Sequence, residues 1–181
     1  MNFTPLPLTG AFRIDLERRG DNRGSFARMF CREEFGRLGL NAVWSQCNVS
    51  HSVRKGTLRG LHFQRPPKAD AKLVKCMAGA VFDAIVDLRA GSDTFGRWTF
   101  QTLSAENGEM IYIPAGVAHG FQTLTDNAEL LYFHSHSYSP ECEGGLLFSD
   151  PDIGITWPLE VASISDRDRD LPPLAEVEPI S

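Results

Sequence analysis

Short runs of alternating or β-branched residues recur along the whole chain, and they confine it to a mostly β fold. The runs are Ala42–Val49, Thr57–Gln64, Lys72–Met77, Val81–Arg89, Arg97–Leu103, Glu109–Ile113 and Glu129–Tyr138. Nearly all are bounded by Gly, Pro, Asn or Asp, which turn the chain. Arg32–Leu38 is the only early stretch with a helical pattern, and Ala78-Gly79, set between two apolar runs, has the form of a hairpin turn. Leu16–Gly24 is polar and glycine-punctuated, as in a surface turn between two strands, and the proline-rich end, Leu171–Ser181, reads as loosely packed. Many short strands punctuated in this way pack as a sandwich or a jelly-roll barrel, whose interior is a common place for a small molecule.

The chain's 181 residues suffice for one hydrophobic core and are few for two, so residues 1–181 are read as a single domain. With 42% hydrophobic and 23% charged residues, the composition is that of a soluble globular protein rather than a disordered or membrane one. No apolar run reaches the roughly 18 residues of a membrane span, and Met1–Phe12 has no basic leader, so no membrane partner is expected and a cytoplasmic location is. The four cysteines, Cys31, Cys47, Cys76 and Cys142, lack CxxC spacing and are read as idle thiols in a reducing compartment. A formal net charge of -5 and a pI near 5.5 argue against a general nucleic-acid binder. An anionic ligand must therefore meet a local basic pocket.

Two segments have the spacing of cupin barrel motifs: Gly56-Thr-Leu-Arg59-Gly-Leu-His62-Phe-Gln64, and Gly108-Glu-Met-Ile-Tyr-Ile-Pro114-Ala-Gly-Val-Ala-His119. The resemblance implies a mainly β, cupin-type jelly-roll barrel with a few short helices. Metal-binding cupins bring several N and O ligands together on one ion. Here Gln64 stands where a second histidine is needed, no suitable Glu follows, and the ammonium of Lys72 would repel a divalent ion. The barrel is expected to work without a metal or any other cofactor.

A narrower resemblance covers Gly10 to Pro173, to the family of dTDP-4-dehydrorhamnose 3,5-epimerases. It rests on Asp21-Asn-Arg23-Gly-Ser-Phe26, Gln46-Cys-Asn48-Val-Ser50, Arg59-Gly-Leu-His62-Phe-Gln64, Lys72-Leu-Val, Val86-Asp87-Leu-Arg89 and Phe95-Gly96. It continues in Pro114-Ala-Gly-Val-Ala-His119-Gly-Phe121, Tyr132 with Tyr138, Glu143-Gly144, Asp150-Pro151, Trp157-Pro158 and Ser165-Asp-Arg-Asp168, all in the family's order. No one of these is specific alone; together in sequence order they are.

The resemblance implies inversion of carbons beside the ketone of a nucleotide-linked 4-keto-6-deoxy sugar. A C4 ketone acidifies the hydrogens on C3 and C5, so inversion needs a base on one face, a proton donor on the other, and a stabiliser for the enolate. Imidazole titrates near neutrality, which suits His62 to the base. By resemblance, Asp168 orients it, Tyr132 is the opposite-face donor and Lys72 holds the developing oxyanion. Arg23, Arg59 and Arg167 match the family's phosphate-binding positions, and guanidinium suits pyrophosphate through its bidentate fork. By resemblance Gln46, Asn48, His119, Glu143 and Phe26 would line the ligand and Tyr138 would stack on the substrate; a vestigial, phosphate-binding or structural role stays open for His119, and packing alone for Tyr138. Arg28 stands where the family ordinarily has a Glu at the base-binding end; a guanidinium only donates, so it cannot accept the N3 hydrogen of thymine, and weakened thymine selectivity is expected. The family also implies a homodimer.

Residue spacing supports part of this. Leu130, Tyr132, His134, His136 and Tyr138 share one face of a strand, whereas Arg59 and His62 would fall on opposite faces unless Gly60 marks a bulge. His51, His134 and His136 are read as ordinary core or surface residues. Asp83, Asp87 and Arg89 are read as a charged face or interface pair, and Asp166–Asp170 by itself as a solvated charged turn. A metal-dependent cupin, a non-catalytic sugar-nucleotide binder, a keto-isomerase and a single-carbon epimerase remain the rival readings.

Overall fold

The computed structural model describes residues 1–181. Strands β1 (Asn2–Pro5) and β2 (Phe12–Asp15) are followed by an exposed hairpin, β3 (Arg19–Asp21) with β4 (Gly24–Phe26), and by helix α1 (Arg32–Arg37). Then come β5 (Gln46–Ser52), β6 (Leu58–Gln64), β7 (Lys72–Ala78), β8 (Ala80–Asp87), β9 (Trp98–Ser104), β10 (Met110–Ile113), β11 (Val117–Thr123) and β12 (Ala128–His134). A short β13 (Glu143–Gly145) and the single-turn helix α2 (Asp166–Arg169) complete the elements that matter for the site.

The strands form a six-stranded sheet, ordered β1-β2-β10-β7-β12-β5, and a five-stranded sheet, ordered β13-β6-β11-β8-β9. Between β5 and β12 the chain crosses from one sheet to the other at every step except β8 to β9. That path gives the cupin-type jelly roll.

Strand periodicity explains how it holds together. Val74 and Cys76 on β7, Val81 and Ile85 on β8, Ile111 and Ile113 on β10, Val117 and Phe121 on β11, and Leu130 on β12 meet between the sheets as one buried cluster. Each pair is spaced by two or four residues, so each strand sends one lane of side chains inward. The outer face of the five-stranded sheet is covered in turn, Val86, Leu88 and Ala118 packing under Ile153, Val177 and Ile180. On the other sheet, Ile14, Leu73, Met110 and Tyr112 pack around Phe35 of α1. Side chains of this size are worth about 1.5–3 kcal/mol each when fully buried.

Several local expectations change. Ala78-Gly79 is a crossing between sheets, not a hairpin turn, because β7 pairs with β10 and β12 while β8 pairs with β11 and β9. Leu16–Gly24 contains a strand of its own, β3, leaving only Asn22 and Arg23 as the turn. The C-terminal segment is not loose: Val177 and Ile180 are buried, and Ile180 bridges to Arg89. Asp83 and Asp87 are wholly buried rather than a charged face; Asp87 accepts hydrogen bonds from Arg89, Ser92 and Thr94. Among the unpaired thiols, Cys76 and Cys142 are buried, Cys31 is half-buried and Cys47 is exposed.

The expected bulge is present. His119 pairs with His62 and Phe121 with Arg59, so a three-residue step on β6 faces a two-residue step on β11. Gly60 has φ +108°, and a Cβ there would lie 2.7 Å from the Cα of Gly120. The extra residue lets Arg59 and His62 serve the same cavity.

Candidate active site

The inward lanes that build the core continue upward as polar residues. On β7 the lane runs Cys76, Val74, Lys72; on β11, Val117, His119, Phe121; on β12, Leu130, Tyr132, His134. These polar members, with His62 of β6, line a cavity of about 520 Å³ that opens between the sheets.

On the five-stranded wall, the Nε2 of His62 lies 2.7 Å from Oδ1 of Asp168. Asp168 is buried and placed by α2: Ser165 caps the helix and accepts the Asp168 N–H, while Gly60 N–H donates to Oδ2 at 3.0 Å. Burial pushes the Asp168 carboxyl up, but the hydrogen bonds from His62 and Gly60 outweigh it and hold the group below the usual carboxylate range. A carboxylate so held fixes the orientation of the ring.

His119, the cross-strand neighbour of His62, puts Nε2 at 2.8 Å from Oδ2 of Asp83. Asp83 lies between Val81 and Ile85 on their inward lane, and burial pushes its carboxyl up against the opposing pull of His119. Nδ1 is the nitrogen His119 has left for a ligand.

The facing, six-stranded wall carries Tyr132 and Lys72. The ring of Tyr132 is edge-on to His119, centroids 5.9 Å apart, and stacks on His134 at 5.9 Å and 17°. Burial, then the charge of Asp83, pushes the Tyr132 hydroxyl well above its ordinary range, with Arg59 opposing. The phenol therefore stays protonated at neutral pH. The ammonium of Lys72 bonds Asp70 Oδ1 at 2.9 Å, and Asp70 Oδ2 faces Nδ1 of His134 at 2.8 Å.

Polar groups ring the mouth. Tyr138 donates its hydroxyl to Glu143 at 2.8 Å and its backbone N–H to Gln46, while Gln46 reaches Asn48. Glu143 also pairs with Arg167. Partial burial pushes the Glu143 carboxyl up, but the Arg167 ion pair and the hydrogen bond from Tyr138 outweigh it and draw the group below its usual range. Arg59 donates to Ser52 Oγ and the His51 carbonyl, at the same opening.

Of the fourteen site residues named from sequence, eleven line this one cavity. Arg23, Phe26 and Arg28 do not: Arg23 pairs with Asp21 on the exposed β3–β4 turn, Phe26 is 73% exposed, and Arg28 pairs with Glu34 at 3.0 Å. Phe26 and Arg28 face a second hollow beside Met1 and Glu34. Sequence reading missed Asp70, Asp83, His134 and His136 as cavity or supporting residues. For Asp83 the signal was present, a carboxylate spaced by two from Val81 and Ile85 in an apolar run.

No group of three or more His, Cys, Asp or Glu side chains converges as metal ligands. The candidate donors are engaged elsewhere: His62 with Asp168, His119 with Asp83, and Gln64 with the Lys68 carbonyl and Ser139 N–H. With Lys72 among them, this donor set does not fit a divalent ion.

Comparison with known proteins fits the geometry. The sequence model described as dTDP-4-dehydrorhamnose 3,5-epimerase matches residues 5–176. A protein of that name from Methanothermobacter thermautotrophicus is 46% identical over 177 residues, 96% of this chain and 95% of the relative. The crystal structure of the dTDP-4-dehydrorhamnose 3,5-epimerase from Elizabethkingia anophelis superposes with a TM-score of 0.94 at 38% identity, covering 97% of each chain. A 3'-monoepimerase from Streptomyces bikiniensis, in complex with dTDP-quinovose, gives a TM-score of 0.88 at 39% identity, covering 94% of this chain and 87% of that one.

Proposed function

Because the chain belongs to the dTDP-4-dehydrorhamnose 3,5-epimerase family, we propose that it inverts C3 and C5 of a dTDP-linked 4-keto-6-deoxy sugar by proton transfer across the cavity between its sheets. The observation that carries the reading is the opposition of His62 on one sheet to Tyr132 on the other across one cavity, with Lys72 on the strand next to the tyrosine's.

His62, oriented by Asp168, takes the proton from the carbon next to the ketone. The electron pair left behind moves into an enolate whose charge gathers on the C4 oxygen, where the Lys72 ammonium stabilises it. Tyr132 then gives its proton to the opposite face, and the configuration is inverted. A proton-transfer group placed in this way is worth about a hundredfold to ten-thousandfold in rate. No redox step is needed, since the C4 ketone already acidifies the carbons to be inverted and the protons taken and returned balance.

Arg59 and Arg167 meet the pyrophosphate, Gln46, Asn48, His119 and Glu143 line the ligand, and Tyr138 stacks at the exposed mouth. Arg23, Phe26 and Arg28 serve the nucleotide from the neighbouring subunit of a homodimer. Their position on an exposed hairpin outside their own cavity supports this, as do the free edges of β1 and β5. Arg28 weakens selectivity for thymine, which calorimetry with thymidine, uridine, cytidine and guanosine diphosphates on wild type and Arg28→Glu measures. No helix is long and apolar enough to cross a membrane, and we place the reaction in the cytoplasm.

Proton NMR of a dTDP-4-keto-6-deoxy sugar in deuterated water tests the activity. Solvent deuterium at C3 and C5 is the expected outcome, and absence of exchange at both overturns the assignment. The similarity to a 3'-monoepimerase favours a second reading, inversion at C3 alone, for which the same spectrum shows label only there.

A further inference from the structure

Asp70 and His134 have no part in the reaction as set out above, yet both face its cavity. Asp70 is 4% exposed and bonds both neighbours: Oδ1 takes a hydrogen from the Lys72 ammonium at 2.9 Å, and Oδ2 lies 2.8 Å from Nδ1 of His134. Lys72 is itself 7% exposed. The segment is tied down on either side. Ala71 N–H donates to Ser135 Oγ and Ser135 N–H to the Ala71 carbonyl, so the chain before β7 is fastened to the chain after β12.

This arrangement decides what Lys72 can do. A buried ammonium without a partner is driven toward solvent, and a carboxylate at contact holds it where it is. A carboxylate free to turn would also spread both oxygens over the ammonium and cancel much of its field. His134 prevents that by holding Oδ2. An ammonium has three donors, and the Asp70 contact uses one, leaving the others for an oxyanion.

We infer that Asp70 and His134 are positioning residues for the enolate-stabilising lysine: Asp70 holds the Lys72 ammonium in place, and His134 holds Asp70 to a single contact with it. The inference rests on the proposed role of Lys72 in the epimerisation. Burial raises the Asp70 carboxyl, and the bonds from His134 and Lys72 more than offset this, leaving it ionised through the neutral range.

The test uses the full-length enzyme and a dTDP-4-keto-6-deoxy sugar. Asp70→Asn is expected to lower kcat by roughly tenfold to a hundredfold, the scale of a displaced or weakened transition-state contact. Its binding of dTDP, which lacks the sugar, should stay at the wild-type value, while its melting temperature should fall because the buried ammonium loses its partner, so kcat is read well below that temperature. His134→Phe keeps a ring stacked on Tyr132 but has no donor, and should lose part of the same kcat. His134→Gln, whose amide can donate to Asp70, should recover it. In a Lys72→Met background, where deuterium wash-in is followed over long incubations, Asp70→Asn should cost nothing further. The inference is overturned if Asp70→Asn keeps kcat within about twofold, if kcat and dTDP binding fall together, or if its cost is undiminished in Lys72→Met. Equal activity of His134→Phe and His134→Gln overturns the part given to His134. Wild type that exchanges no deuterium would instead refute the epimerase reading beneath it, and this inference with it.

Discussion

Gly60 and Gly120 lie back to back across the β6–β11 pair, so close that a Cβ on Gly120 would stand 2.8 Å from the carbonyl oxygen of Arg59 and 2.9 Å from Leu61 Cδ2. This contact seats the bulge that brings Arg59 and His62 to one cavity.

Gly120→Ala should therefore lower stability by about 1–3 kcal/mol, the usual cost of overpacking, and lower kcat by more than the loss of folded protein explains. Thermal melts and turnover on the same sample measure both. A variant with wild-type melting temperature and turnover would show that the close approach does not set the register.

Asp168 carries a pH dependence of known sign. Its carboxyl is held below the ordinary range by His62 and Gly60 despite burial, so its stabilising contribution is complete above the unfolded value, about 3.9, and disappears as pH falls through the lower folded value. Asp168→Asn should therefore lose stability at neutral pH and show a flatter decline through the acid range, with kcat down on the order of a hundredfold or more. Chemical denaturation from pH 7 downward reads the first part. Parallel acid curves for wild type and variant would refute it.

Dialysis against a chelator should leave turnover unchanged, since His62, His119 and Gln64, the candidate donors for a divalent ion, are engaged by Asp168, Asp83 and Ser139 respectively. Stoichiometric zinc, iron or manganese whose removal abolishes turnover would contradict this.

The mostly β class was legible from alternation, whereas the bulge at Gly60 and the eleven cavity residues were legible through the resemblance to the family, which puts Arg59 and His62 in one site despite their odd spacing. What was hidden depends on which strand lies beside which. β11 escaped notice because Gly120, which reads as a turn, sits in its middle, and because it is buried on both faces and shows no polar alternation. Asp70 and His134 are 64 residues apart, and their bond exists only because β7 and β12 are neighbours. Ala78-Gly79 looked like a hairpin since a tight turn and a sheet crossing use the same residues; only strand order distinguishes them. The C-terminal segment, rich in proline, hid two apolar side chains, Val177 and Ile180, that cap an outer sheet face.

The central claim is that His62 and Tyr132 move protons on opposite faces of the sugar, and deuterium wash-in on His62→Ala and Tyr132→Phe tests it most directly. Each substitution should cost about a hundredfold to ten-thousandfold in turnover, but they should fail differently. His62→Ala should stop exchange at both carbons, because no proton is removed. Tyr132→Phe should still exchange solvent deuterium through His62 while inversion stops, because the proton returns to the face it left. Wild-type inversion by Tyr132→Phe, or undiminished exchange in His62→Ala, would contradict the account.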